Sequence, residues 1–150
     1  MRTTKSDLAL LLARILLASL FVFSGLQKAL HYSGAVDWAA SHGISFAANL
    51  MWAVIALELG ASALLVSGWY ARAGAWALML WVLWTGIWFH RFWETPPQMW
   101  QIMVDDFFHH LVMAGGFLYV AVCGPGSVVL QRYLHRTDRV SASGVIRPSP

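Results

Sequence analysis

Charged residues and cysteine are both scarce in this chain of 150 residues. Only 11% of the residues are charged, whereas typical soluble domains contain roughly 25%. In contrast, 59% of the residues are hydrophobic. A chain of this length cannot bury so many apolar side chains in a soluble core, because small domains hide only part of their surface. The composition therefore excludes an ordinary soluble domain and indicates a protein whose solvent is lipid.

Other absences narrow the possible functions. The single cysteine, Cys123, excludes an intrachain disulfide and a multi-cysteine metal site. The sequence contains no flavin, haem or nucleotide-binding motif, which argues against an enzyme that works alone. The net charge of +3 is concentrated at the chain ends and does not indicate a nucleic-acid partner.

Four apolar stretches have the length needed to cross a bilayer, about 20 residues each. They lie at about residues 8–30, 49–68, 73–90 and 106–123. Short connections between them favour antiparallel neighbours. The sequence thus predicts an all-α, integral membrane four-helix bundle over residues 1–130. Residues 131–150 are first basic and then rich in Ser and Pro, and we expect them to form a disordered cytoplasmic tail.

The distribution of Lys and Arg predicts the orientation of these spans. On the side of both termini lie Arg2, Lys5, Arg72, Arg132, Arg136, Arg139 and Arg147, and on the opposite side lie Lys28 and Arg91. Short cytoplasmic flanks carry an excess of positive residues, so we expect both termini to be cytoplasmic. The chain is thus predicted to be a multi-pass protein of the cytoplasmic (inner) membrane.

Two charged residues lie inside predicted spans, where each costs roughly 2.5–3.5 kcal/mol on insertion. Arg14 and Glu58 lie at depths that an extended Arg side chain can bridge, so they can pair. One interpretation is a structural ion pair, or Arg14 reaching alone to the cytoplasmic face. The other makes Glu58 a proton acceptor in a quinone or substrate cavity. Lys28 either reaches the headgroups or lines the mouth of that cavity.

The stretch between the third and fourth spans is the most polar part of the chain. We expect Pro96 and Pro97 to stop helix formation in an external loop at residues 91–104, and Asp105 or Asp106 to cap the fourth helix that follows.

His90 ends the third span on the same side as His109 and His110. Asp106 lies three and four residues before these two histidines and can hydrogen-bond one of them. Consecutive histidines point about 100° apart on a helix, so they cannot both face one centre. A transition-metal site, proton transfer at a quinone headgroup and plain interfacial hydrogen bonding remain open here.

Small and aromatic residues complete the pattern. We expect Gly60, Gly74, Gly115 and Gly116 to lie where helices pack closely. Trp81, Trp84 and Trp88 follow helical spacing, which is more typical of a lipid-facing or bundle-facing surface than of a cofactor site.

Six short segments together resemble the DoxX family in their order and spacing. They are Arg14-Ile-Leu-Leu, Phe23-Ser-Gly-Leu-Gln-Lys28, Glu58-Leu-Gly-Ala-Ser-Ala-Leu-Leu, Phe89-His-Arg-Phe-Trp93, His110-Leu-Val-Met-Ala-Gly-Gly and Cys123-Gly-Pro-Gly126. The resemblance covers about residues 8–130. It implies a bacterial four-helix membrane protein, related to the DoxD subunit of thiosulfate:quinone oxidoreductase and to membrane partners of oxidative-stress complexes.

The family pattern carries over to Arg14, Lys28, Glu58, His90 and Trp93. This chain has His109-His110 where relatives commonly have Lys-Asn, which puts a shared substrate in doubt.

From these observations we predict a redox-associated membrane subunit that handles quinone or quinol near the external leaflet. In this hypothesis Glu58 and His90 move protons and Arg14 keeps Glu58 ionised. The hypothesis assigns binding of the quinone cofactor to Lys28, Trp93 and His110.

A protein partner is expected to supply the electrons, and a homo-oligomer is left open. The alternatives are a non-catalytic adaptor for a partner enzyme, or an external metal-handling protein that uses His90, His109 and His110. The leading hypothesis assigns no metal ligand.

Overall fold

A computed structural model describes residues 5–129, and the predicted tail at 131–150 lies outside this range. The described residues form five α-helices and no strand. They are α1 (Lys5–Leu30), α2 (Tyr32–Ser41), α3 (Ala47–Ser67), α4 (Ala71–Phe89) and α5 (Pro97–Cys123), with a 3-10 turn at Phe92–Glu94. All but α2 are long and apolar enough to cross a membrane. The prediction of an all-α membrane bundle with four spans is therefore confirmed.

The four long helices pack in the order α1, α3, α4 and α5, each against the next. The two outer helices, α1 and α5, contact each other at few positions. The short α2 packs mainly on α3 at one end of the bundle. We call this end, where α1 and α4 finish, the loop end, and the opposite end, where α3 and α5 finish, the terminus end.

Small residues and a few large ones fill the centre of the bundle. Its buried members include Ala18, Phe21, Leu65, Ala75, Leu78, Val82, Ala114 and Phe117. Phe21 and Phe117 meet edge to face with ring centroids 5.5 Å apart. Many large apolar side chains instead point outward, among them Leu16, Leu80 and Val112. In water such exposure would be unfavourable, whereas in a bilayer these side chains face lipid.

The connection between α3 and α4 is a tight hairpin. Gly68 ends α3 with a positive φ of 76°, and Tyr70 precedes α4 with φ of 53°. Glycine adopts such a left-handed conformation without the steric penalty that a Cβ brings. The short link keeps α3 and α4 antiparallel neighbours, as the sequence indicates.

The fourth long helix begins at Pro97, earlier than the predicted start near residue 106. The sequence-based prediction was that the two prolines prevent helix formation. Pro97 instead occupies the first turn of α5, where its missing N–H has no intrahelical partner to lose. As a result Asp105 and Asp106 lie inside the helix, and the prediction that one of them caps it is wrong.

Candidate functional site

Glu58 is buried inside the bundle and accepts hydrogen bonds from two other helices. Its side chain is only 3% exposed. Lys28 of α1 donates to both carboxylate oxygens at 3.0 Å. The indole Nε1–H of Trp81 on α4 donates to Oε1 at 3.1 Å. Lys28 also donates to the hydroxyl of Ser24, one turn earlier on α1. We call Lys28, Glu58 and Trp81 the carboxylate cluster.

A glycine on α1 allows the helices to approach at this level. A Cβ placed on Gly25 would lie 2.8 Å from Leu59 Cδ2 and 3.5 Å from the Cβ of Glu58. Because this position has no side chain, α1 comes close enough to α3 for Lys28 to reach the carboxylate.

Arg14 does not pair with Glu58, so the proposed Arg14–Glu58 pair is wrong. Arg14 is buried and donates to the carbonyl oxygens of Leu65 at 3.2 Å and Val128 at 2.7 Å. Its Nε has no hydrogen-bond partner within residues 5–129. The guanidinium therefore ties α1 to the last turn of α3 and to the segment after α5. The counter-charge that sequence reasoning assigned to Arg14 comes from Lys28.

A second polar group lies between α4 and α5 at the loop end. The rings of His90 and His110 are 4.6 Å apart. His110 Nδ1–H donates to the backbone carbonyl of Asp106 at 2.8 Å, which assigns its proton to that nitrogen. His90 Nδ1 lies 3.5 Å from Oδ2 of Asp106, which is too long for a good hydrogen bond. We call these three residues the histidine cluster.

The structure separates the two consecutive histidines of α5. His110 is partly buried and faces His90, whereas His109 is exposed. A close approach at Gly86 makes this possible, because a Cβ there would lie 2.9 Å from the Cβ of His110. His109 thus stays outside the histidine cluster. Among residues 5–129, His, Cys, Asp and Glu form no group of three or more with metal-binding geometry.

The two clusters lie apart within the bundle. His90 directly follows the last residue of α4, nine residues after Trp81, which corresponds to about 13 Å along the helix axis and nearly opposite faces. Glu58 and His90, which the sequence hypothesis joined in one proton path, therefore belong to separate groups.

Trp93 joins neither cluster. Its ring packs edge to face against Phe92 and Phe107 at 5.0 and 5.9 Å, and about half of the side chain is exposed. The structure thus brings Trp93 to an aromatic surface at the loop end, away from Glu58.

Sequence reasoning missed Trp81 as a partner of Glu58. Trp81 stacks on Trp84 at 5.2 Å and Trp84 on Trp88 at 5.8 Å between ring centroids. We call these three rings the tryptophan ladder. Their helical spacing was the available signal, but it showed only a shared face and not that the ladder begins at a buried carboxylate.

Comparison with known proteins gives the family. The sequence model of the DoxX family matches residues 9–91, more than half of the chain. The chain belongs to the DoxX family. This DoxX protein is 30% identical over 131 residues to the inner membrane protein YqjF of Escherichia coli K12, covering 87% of this chain and 95% of the relative.

It is also 28% identical over 123 residues to the inner membrane protein YphA of the same organism, covering 82% of this chain and 88% of the relative. No solved structure gives a significant match. With four spanning helices, this DoxX protein is a multi-pass inner-membrane protein.

The DoxX match includes the whole carboxylate cluster, because Lys28, Glu58 and Trp81 all lie within residues 9–91. It reaches His90 but ends before Asp106 and His110. Of the two clusters, the carboxylate cluster is therefore the one that lies entirely within the matched segment.

Proposed function

We propose that this DoxX protein is the membrane subunit of a quinone-linked redox system and binds a quinone or quinol headgroup beside the carboxylate cluster. The observation that carries the proposal is the hydrogen bond from Trp81 to Glu58. This bond connects a buried carboxylate to a wall of stacked aromatic rings.

The tryptophan ladder supplies a flat surface that faces lipid. Trp84 is 41% exposed and Trp88 is 39% exposed. Offset stacking of aromatic rings contributes about 0.5–1.5 kcal/mol beyond the burial of area. A quinone dissolved in the bilayer reaches such a surface directly, without passing through water.

In the proposal, a quinone carbonyl replaces the Ser24 hydroxyl as an acceptor of the Lys28 ammonium, whose three N–H groups are bonded to Ser24 and Glu58. The Lys28 side chain is 27% exposed, so the lysine is not fully enclosed by the bundle. A hydrogen bond from a charged donor contributes roughly 1.5–3 kcal/mol. In the proposal Lys28 contacts the headgroup, and Glu58, paired with it, accepts and returns a proton.

Reduction of a quinone to a quinol takes two electrons and two protons. We assign the electrons to a protein partner, which is oxidised in the step. The two protons come from water and reach the headgroup through Lys28 and Glu58.

The pairing of Glu58 supports a second candidate, a non-catalytic membrane adaptor for a partner enzyme. Glu58 has partners from both α1 and α4, which is also what an ion pair that only holds helices together requires. The two candidates differ in whether this region binds quinone.

The test is equilibrium binding of a short-chain ubiquinone to the purified protein in nanodiscs. Quenching of tryptophan fluorescence measures the binding. We expect Trp84→Leu to weaken binding severalfold and Lys28→Met about tenfold, as loss of a charged hydrogen bond implies. Trp69→Phe, at the terminus end, is the matched control and should bind like the wild type.

Equal binding by the wild type and Trp84→Leu would reject the proposed site, and so would absence of binding by the wild type. Trp84 lies at the surface, so we expect Trp84→Leu to leave the fold stable. This variant therefore tests the site even if Lys28→Met lowers the stability of the protein. Retained assembly with a partner enzyme in the absence of quinone binding would establish the adaptor instead.

A further inference from the structure

A cleft separates α1 from α5 at the terminus end. The two helices meet where Leu17 packs against Gly116, since a Cβ on this glycine would lie 2.9 Å from Leu17 Cδ2. Between that contact and the end of α5 they enclose a space of about 190 Å³. Its walls include Leu10, Ala13 and Leu17 of α1 and Tyr119 and Val120 of α5.

The walls of the cleft are almost entirely apolar, apart from Arg14. An apolar cavity of about 150 Å³ is large enough to hold benzene. The cleft is therefore large enough for a short length of alkyl chain, and its position between two spanning helices opens it to the acyl chains of the bilayer.

Two arginines lie in or beside the wall of the cleft. Arg14 forms part of the wall, and its buried Nε has no hydrogen-bond partner within residues 5–129. Arg72 at the start of α4 lies beside Gly124, which lines the cleft, because a Cβ there would be 3.2 Å from both Nε and Nη2 of Arg72. Arg72 is exposed and makes no hydrogen bond or ion pair with another described residue.

A carboxylate near this end is engaged with the chain itself. Asp7 Oδ1 accepts the backbone N–H of Ser127 at 3.2 Å, in the turn that follows α5. The carboxylate lies beside Gly126, where a Cβ would also lie 2.8 Å from the cleft residue Leu10, so its negative charge offsets one of the two arginine charges near the cleft. Because this carboxylate is engaged with Ser127, whereas the guanidinium of Arg72 is exposed, the positive charge that remains among the described residues is accessible at Arg72.

We propose that the α1–α5 cleft is a binding site for an anionic phospholipid. One acyl chain occupies the cleft, and the phosphate group contacts Arg72 at its mouth. The charge complementarity selects an anionic lipid over a zwitterionic one, since each Arg near the membrane surface contributes about 1 kcal/mol toward anionic headgroups. The site is independent of the carboxylate cluster and of the proposed quinone.

The test is native mass spectrometry of the full chain in a mild detergent, with lipids added in defined amounts. Phosphatidylglycerol and phosphatidylethanolamine with identical acyl chains separate the headgroup from the tail. We expect phosphatidylglycerol to bind about fivefold more tightly, and Arg72→Gln to abolish this preference. Arg91→Gln, which changes a half-buried arginine at the loop end, is the control and should keep the preference.

A second variant tests the cleft itself. Ala13→Phe places a ring in the space between α1 and α5 and should weaken the binding of both lipids severalfold. Ala29→Phe, an equally exposed position at the other end of α1, should not. Because Ala13 and Arg72 are exposed, neither variant removes a buried contact.

Three results would overturn the proposal. The first is equal binding of the two lipids by the wild type, or no binding of either. The second is an unchanged preference in Arg72→Gln. The third is binding of inorganic phosphate that displaces neither lipid and is lost in Arg72→Gln, which would make this an anion site without a lipid chain.

Discussion

Lys28 Nζ lies 3.0 Å from both oxygens of the Glu58 carboxylate and so joins α1 to α3 within the membrane-spanning part of the bundle. The side chain of Glu58 is nearly inaccessible, whereas that of Lys28 is partly exposed. Removing the two partners should therefore have unequal effects. Loss of the lysine leaves a buried charge without a counter-charge, and loss of the charge on Glu58 leaves an ammonium that lipid headgroups or water can still reach.

We expect Lys28→Met to lower the free energy of unfolding by roughly 3 kcal/mol, because the Glu58 carboxylate loses its cationic partner. In the double variant Lys28→Met, Glu58→Gln, most of this loss should be recovered, since a neutral amide oxygen still accepts the N–H of Trp81. Titration with sodium dodecyl sulfate in mixed micelles measures both values. A double variant as unstable as the single one would show that charge pairing is not what Lys28 contributes.

Arg14 leads to a prediction at the α3–α4 hairpin. A Cβ on Gly68 would lie 2.7 Å from Nη1 of Arg14 and 3.2 Å from Val129 Cα, at a positive φ of 76°. We expect Gly68→Ala to combine the left-handed backbone penalty of about 1–2 kcal/mol with an overpacking cost of about 1–3 kcal/mol. Gly68→Ala should also weaken the hydrogen bonds from Arg14 to the carbonyl oxygens of Leu65 and Val128.

Gly43 provides the matched control for Gly68. Its φ of 81° is similar, but a Cβ there would meet no atom within 4 Å. Gly43→Ala should therefore show the backbone penalty alone. If the two variants unfold at the same temperature, the contact between Gly68 and Arg14 contributes nothing to stability.

The spans were predictable from sequence because length and apolar content are local properties. The partner of Glu58 was not. Arg14 and Lys28 are 14 residues apart on α1 and lie on nearly the same face. The choice between them depends on how far α1 is shifted along α3. The sequence gives the depth of each residue within its own helix, whereas this shift is set by packing, including the contact at Gly25.

Helix packing also determines which of the predicted glycines lie at a helix contact. Of the glycines expected at helix contacts, Gly74 and Gly116 do lie against a neighbouring helix, but a Cβ on Gly60 or Gly115 would meet nothing within 4 Å. Adjacent helical positions point about 100° apart, so Gly115 and Gly116 cannot both face α1. The contact at Gly86 was not predicted, because nothing in the sequence links it to His110.

Gly86 therefore provides a direct test of the histidine cluster. A Cβ at this position would lie 2.9 Å from the Cβ of His110 and 3.3 Å from its Cγ. We expect Gly86→Ala to push α5 away from α4, to separate the rings of His90 and His110, and to lower stability by about 1–3 kcal/mol.

Gly115→Ala on α5 is the control, because its new methyl group enters open space. Greater helix propensity should leave stability unchanged or raise it by up to about 1 kcal/mol. Thermal unfolding in detergent compares the two variants, and the ring NMR signals of His90 and His110 report their environment. A lower melting temperature with unchanged ring signals would mean that Gly86 sets helix packing alone. Changes in both would show that the same close approach brings His90 and His110 together.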